Sequence, residues 1–219
     1  MKEYSCIAFD LDGTLTDPSA GLLSGFVYAF KKLGIDYGER ESLKRFIGPP
    51  LFLEWQKEFG FTPEESDYAV RLFREYYLIY GWWDNRIYDG VAQMLKRLKD
   101  GGKTLIVATS KPEDTAKKVL KLFGIDTYFD FIGGADGHKN RDRKCEVLEY
   151  SLASAGITDK STAILVGDRS FDAEGAAIVG IDSMGILWGH GSEQEIESSN
   201  FTLVARTPDQ VADMLLQKP

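Results

Sequence analysis

Apolar positions along this chain follow two alternating rhythms. Short, nearly unbroken apolar runs rich in β-branched residues occur at Ser5–Phe9, Lys103–Ala108, Tyr128–Ile132 and Thr162–Val166, with weaker ones at Ile181–Leu187 and Phe201–Val204. Runs of that length and composition predict buried strands. Between them, Gly90–Lys99, Glu113–Phe123, Lys144–Ala155, Phe171–Gly180 and Pro208–Leu216 carry apolar residues at helical spacing. The alternation predicts an α/β fold, a parallel, Rossmann-like sheet covered by helices on both faces. Glycine-rich turns at Gly133-Gly134 and Gly167 are expected to close strands.

One stretch lacks the strand rhythm. Residues 17–83 hold helical patterns only (Leu22–Leu33, Leu43–Phe46, Leu51–Phe59, Pro63–Tyr80), which predicts an all-helical insertion between the first two core strands. The expected division is a core of residues 1–16 with 84–219 and a small helical domain of 17–83. Its many aromatics, among them Phe26, Phe30, Trp55 and Trp82, are expected mostly to fill the interior of a small bundle.

Composition narrows the function. A net charge of −8 on 219 residues disfavours nucleic acid polymers and anionic membranes as partners, so an anionic ligand must be held by local cations. Two cysteines, Cys6 and Cys145, are too few for a disulfide framework, and no apolar run reaches the length of a membrane span. With no signal-like leader before the first strand, the expected location is cytoplasmic.

The candidate chemistry lies where the strands end. The run Cys6–Phe9 leads into Asp10-Leu11-Asp12-Gly13-Thr14, and ligands of open α/β sheets bind at the strands' carboxyl ends. Two carboxylates at an apolar strand end repel, and a hard cation such as Mg²⁺ relieves that repulsion. Gly13 permits an unusual turn, and Thr14 offers a hydroxyl to a phosphate oxygen. An ordinary Asp-Gly turn is the competing reading. After Leu105–Ala108, Thr109 and Ser110 precede Pro112, which is expected to open a helix, so their hydroxyls would either bind an anion at a helix N-terminus or simply cap it. Lys111 would touch substrate or be solvated. Asp168 and Asp172 bracket the turn after Ala163–Val166 and can face one site, although an aspartate at a helix start is also a plain cap. Lys144 sits in a predicted first turn, while Lys139, Arg141 and Arg143 form a basic loop expected to be largely solvated; Lys139 stays an alternative to Lys144. His138 and His190 lack partners at ligand spacing and are read as loop histidines.

Four of these segments together resemble the haloacid dehalogenase superfamily of phosphotransferases: Asp10–Thr14, Leu105–Lys111, the lysine within 138–144, and Val166–Asp172. The helical insertion is similar to the cap of the phosphoglycolate phosphatase and β-phosphoglucomutase branch, and Arg45–Leu51 is similar to caps of bacterial 5′-nucleotidases or phosphoglycolate phosphatases. The resemblance implies Asp10 as nucleophile, Asp12 as general acid and base, Thr109 and a lysine on the phosphoryl group, and a Mg²⁺ site built from Asp10, Asp168 and Asp172 with the carbonyl of Asp12. It implies hydrolysis of a small phosphorylated metabolite through an aspartyl-phosphate. A phosphomutase would use the same residues, and pyrophosphate is a further candidate substrate. A dehalogenase would need neither Asp12 nor Asp168. Arg45, beside the turn-prone Gly48-Pro49-Pro50, is expected either to reach the substrate's leaving group or to be solvated.

Overall fold

The computed structural model describes residues 2–48, 51–136 and 141–217, and the chain divides into two compact units, Met1–Asp17 with Ile87–Pro219 and Pro18–Arg86. The second unit is helical, with α1 (Ser19–Leu33), a 3₁₀ segment Arg40–Phe46, α2 (Leu51–Phe59) and α3 (Pro63–Tyr76). Thr62 caps α3 by accepting the Glu65 N–H while Glu65 returns the bond, a capping box with Pro63 at the first position. Phe26, Phe30, Phe46, Trp55 and Phe73 form its interior, and the Phe30 and Trp55 ring centres lie 5.0 Å apart. The helix predicted through Tyr80 instead widens into a π-turn at Tyr77–Gly81. That places Tyr80 and Trp83 on the surface, outside the bundle interior the aromatic pattern suggests.

The first unit carries one six-stranded sheet: β1 (Cys6–Phe9), β2 (Thr104–Pro112), β3 (Phe131–Ala135), β4 (Ala163–Gly167), β5 (Asp182–Ile186) and β6 (Leu203–Ala205). The order is β3-β2-β1-β4-β5-β6, and every adjacent pair is parallel. All carboxyl ends therefore share one edge. The helices are α4 (Val91–Asp100), α5 (Glu113–Leu122), α6 (Lys144–Ser154), α7 (Ser170–Val179), α8 (Glu193–Ser198) and α9 (Pro208–Leu216). Successive strand residues serve opposite faces. Cys6, Ala8, Ile106, Ala108, Ala163 and Leu165 pack with Val147, Leu148 and Ala176 of α6 and α7. Ile7, Phe9, Leu105, Val107, Ile164 and Val166, on the opposite face, are equally buried. Burial on both faces explains runs that do not alternate with polar residues, each large side chain contributing roughly 1.5–3 kcal/mol.

Three local expectations change. Residues Asp126–Tyr128 form a 3₁₀ turn, and β3 begins only at Phe131. Gly133 and Gly134 lie inside β3 rather than in a turn after it, paired with Ala108 and Thr109. Strand β2 continues past Thr109 to Pro112, so Pro112 precedes α5 instead of opening it, and neither Thr109 nor Ser110 caps that helix.

Candidate active site

Strand β1 presents Asp10 at its carboxyl end, where the Asp10 N–H still donates to the Val166 carbonyl (2.9 Å). The chain then turns tightly, with the Leu11 carbonyl accepting from Thr14, Leu15 and Thr16. Gly13 has φ +90°, and a Cβ there would lie 2.2 Å from Asp168 Oδ2. Both the backbone conformation and the close approach require glycine. Strand β4 delivers Asp168, and α7 delivers Asp172, whose Oδ2 accepts the Arg169 N–H (3.1 Å).

Lys144, the first residue of α6, ties these ends together. Its Nζ lies 2.8 Å from Asp10 Oδ1 and 3.0 Å from Asp172 Oδ1, and it donates to the Ala108 carbonyl at 3.2 Å. Burial opposes its ammonium form, yet Asp10 and Asp172 hold its pKa above the usual lysine value. Lys139, the alternative lysine, lies outside the described residues, as does His138.

One ammonium among three acids leaves excess negative charge. Oxygen atoms of Asp10, Asp168 and Asp172 all lie within 4.8 Å of one another. Burial, followed by the Asp172 and Asp10 charges, pushes Asp168 up to about 8, against the His190 N–H and the Thr14 hydroxyl. Asp172 is also raised, by burial first and by Asp10, with Lys144 opposing. Such strain on ionised carboxylates is what a bound cation removes. An all-oxygen, hard donor set fits a divalent cation of the Mg²⁺ or Ca²⁺ type.

The other candidates are placed differently from one another. The carboxylate of Asp12 stands apart from the trio, its Oδ2 paired with Lys111 Nζ. Lys111 is therefore neither solvated nor open, since its side chain is 3% exposed. Thr14 is fully buried, and its hydroxyl donates to Asp168 Oδ1 (3.0 Å) instead of awaiting a phosphate oxygen. Thr109 is buried, its Oγ1 accepting the Lys111 N–H (3.2 Å), and Ser110 is exposed. Arg141 is not a solvated loop residue: Nε donates to the Gly134 carbonyl (3.0 Å), and the guanidinium lies 3.6 Å from the centre of the Tyr150 ring. Arg143 is exposed, as expected, and pairs with Glu146. In the helical unit, Arg45 pairs with Glu58 (2.7 Å), donates to the Ser42 carbonyl and lies over Phe46, while Pro49 and Pro50 lie outside the described residues.

The segment after β5 is a part of the site that the strand and helix patterns do not reveal. Trp188 Nε1–H donates to the Thr14 carbonyl (3.1 Å), and the His190 N–H donates to Asp168 Oδ2 (2.8 Å). Glu195 of α8 accepts from the Ser170 N–H (2.9 Å) and from Arg169 Nε (3.0 Å). The available signal is Trp188-Gly189-His190-Gly191, a glycine-rich run just beyond a strand's carboxyl end.

The family model of haloacid dehalogenase-like hydrolases matches residues 7–186. The 5′-nucleotidase of Pseudomonas aeruginosa is 37% identical over 195 residues, covering 89% of this chain and 88% of that protein. The tyrosine-protein kinase PtkA of Mycobacterium tuberculosis is 36% identical over 211 residues, covering 95% of this chain and 72% of the kinase. The crystal structure of a predicted phosphatase from Clostridium acetobutylicum superposes with a TM-score of 0.94 at 33% identity, covering 99% of this chain and 100% of that one.

Proposed function

Because this chain belongs to the haloacid dehalogenase-like hydrolases, and is a phosphatase of that family, we propose that it hydrolyses a small phosphorylated metabolite through a phosphoryl group carried on Asp10. The observation that carries the reading is the cluster of Asp10, Asp168 and Asp172 around Lys144 at the carboxyl edge of the sheet. In the first step an Asp10 carboxylate oxygen attacks phosphorus, the bond to the leaving oxygen breaks, and Asp12 gives that oxygen its proton. In the second, Asp12 takes a proton from water, the new P–O bond forms, and Asp10 is released with inorganic phosphate. Lys144 offsets charge on the phosphoryl oxygens, and the Thr109 hydroxyl, buried within the neighbouring strand β2, would orient them. Mg²⁺ held by Asp10, Asp168 and Asp172, with the Asp12 carbonyl, would supply the positive charge that lets two anions approach.

The 5′-nucleotidase similarity favours nucleoside monophosphates among the substrates, with phosphoglycolate, sugar phosphates and pyrophosphate in the same test. The PtkA similarity favours a second reading, in which a hydroxyl other than water takes the phosphoryl group. Both are tested by following free phosphate and phosphorylated acceptor across this panel with Mg²⁺. Hydrolysis predicts stoichiometric free phosphate, and Asp10→Asn should reduce its release by at least roughly a thousandfold with the fold retained. Substantial turnover by that variant would exclude the covalent route, and phosphate appearing only on an acceptor would favour transfer.

A further inference from the structure

From the segment after β5, Trp188 donates to the Thr14 carbonyl, the His190 N–H donates to Asp168, and Glu195 accepts from Arg169 and Ser170. The grip of Glu195 is the densest. Its Oε1 accepts both Arg169 Nε (3.0 Å) and the Ser170 N–H (2.9 Å), and its Oε2 lies 3.3 Å from the same Nε. The Ser170 N–H belongs to the first turn of α7, where donors lack a partner within the helix. Arg169 is thus held twice, by its side chain on Glu195 and by its main chain on Asp172 Oδ2. The Arg169–Glu195 pair is mostly shielded, with side chains 20% and 24% exposed, unlike the open surface pairs that contribute almost nothing. Burial tends to raise the Glu195 pKa, but the Ser170 N–H and the Arg169 guanidinium lower it below the usual value, so its charge is secure.

Arg169 and Ser170 occupy the stretch between Asp168 and Asp172. Two carboxyl groups on one short turn keep a set spacing only if the turn itself is fixed. Resting on the metal reading above, we propose that Glu195 is a positioning residue for the cation site. By fixing Arg169 and Ser170, it keeps Asp168 and Asp172 at the spacing a divalent cation requires.

The test is calorimetric titration of Mg²⁺ into the full chain, which reads binding without turnover. Groups that orient metal ligands typically change affinity 10–100-fold when removed, so Glu195→Ala should raise the Mg²⁺ Kd about tenfold or more. Glu195→Gln keeps an acceptor for the Ser170 N–H but loses the charge on Arg169, and should fall between. Arg97→Ala provides the structural control, because it removes ion pairs to Asp209 and Asp213 of α9. It should lower the thermal midpoint while leaving Kd within about twofold of wild type. If Glu195→Ala does not fold, the glutamine variant decides alone. An unchanged Kd in the folded Glu195 variants, or an equal rise in Arg97→Ala, would overturn the positioning role and leave the phosphatase reading standing. Failure of the wild-type chain to take up Mg²⁺ would remove both this role and the metal reading.

Discussion

Lys111 and Asp12 form a pair whose members face different demands. In the proposed reaction Asp12 meets the leaving oxygen, yet a free carboxylate on a tight turn samples several rotamers, and each wrong one lowers the fraction of productive encounters. The Lys111 ammonium, itself almost fully shielded, fixes one of its oxygens. Lys111→Met should therefore lower kcat more for an alkyl phosphate, whose alkoxide needs a proton, than for p-nitrophenyl phosphate, which leaves without help. A difference of about tenfold is expected, a fraction of the roughly hundredfold to ten-thousandfold that general acid catalysis contributes, with partial recovery in Lys111→Arg. Equal losses on both substrates would assign Lys111 to the phosphoryl group instead. Residue identities at the strand ends were legible from the chain alone, because acids and hydroxyls that close apolar runs stand out against their surroundings. Their partners were not. Thr14 donating to Asp168, across 154 positions of sequence, and Lys111 turning to Asp12 across 99, are consequences of packing that no local pattern encodes.

At the scale of elements, β3 shows how a glycine pair can mislead. Gly133-Gly134 reads as a turn, since glycine weakens strands and favours reversals. In the structure Gly134 is needed inside the strand, because neighbouring backbone passes too close for any side chain, while a Cβ on Gly133 would meet the Ser151 side chain. A Cβ on Gly134 would sit 2.5 Å from the Lys111 carbonyl and 2.7 Å from Glu113 Cα, both backbone atoms that cannot swing aside. Gly134→Ala should destabilise the chain by about 1–3 kcal/mol, the usual cost of overpacking, measured as a lower urea midpoint with an unchanged slope. It should also weaken activity, since the displaced carbonyl belongs to Lys111. A variant as stable as wild type would mean that β2 has slack at this point. The short helix Glu193–Ser198 escaped the periodicity for a related reason: six residues with one buried apolar position, Ile196, leave no stripe to detect. Longer elements such as α4, α5 and α9 were legible because their apolar positions repeat on one face from turn to turn.

For the molecule as a whole, the buried acids link metal, protons and stability. Asp168 holds its proton to about pH 8 in the folded chain without metal, whereas in an unfolded chain it would release it near the ordinary carboxylate value. Between those limits the folded state binds more protons than the unfolded one. Stability of the metal-free chain from this group is therefore fully present at low pH and is lost as pH rises towards about 8, with a limiting slope of about 1.4 kcal/mol per pH unit for one proton. A cation bound by Asp168 replaces that proton, so below about pH 8 part of its binding free energy is spent on deprotonation. Saturating Mg²⁺ should accordingly raise the thermal midpoint little near pH 5, progressively more up to about pH 8, and by a constant amount above it. Taking the difference with and without Mg²⁺ at each pH cancels the titration of groups the cation does not touch. Asp168→Asn cannot hold the titrating proton and should flatten the dependence while weakening the metal's effect at every pH. A Mg²⁺ increment that is the same at about pH 5 and pH 8 in the wild-type chain would mean that Asp168 does not exchange its proton for the cation.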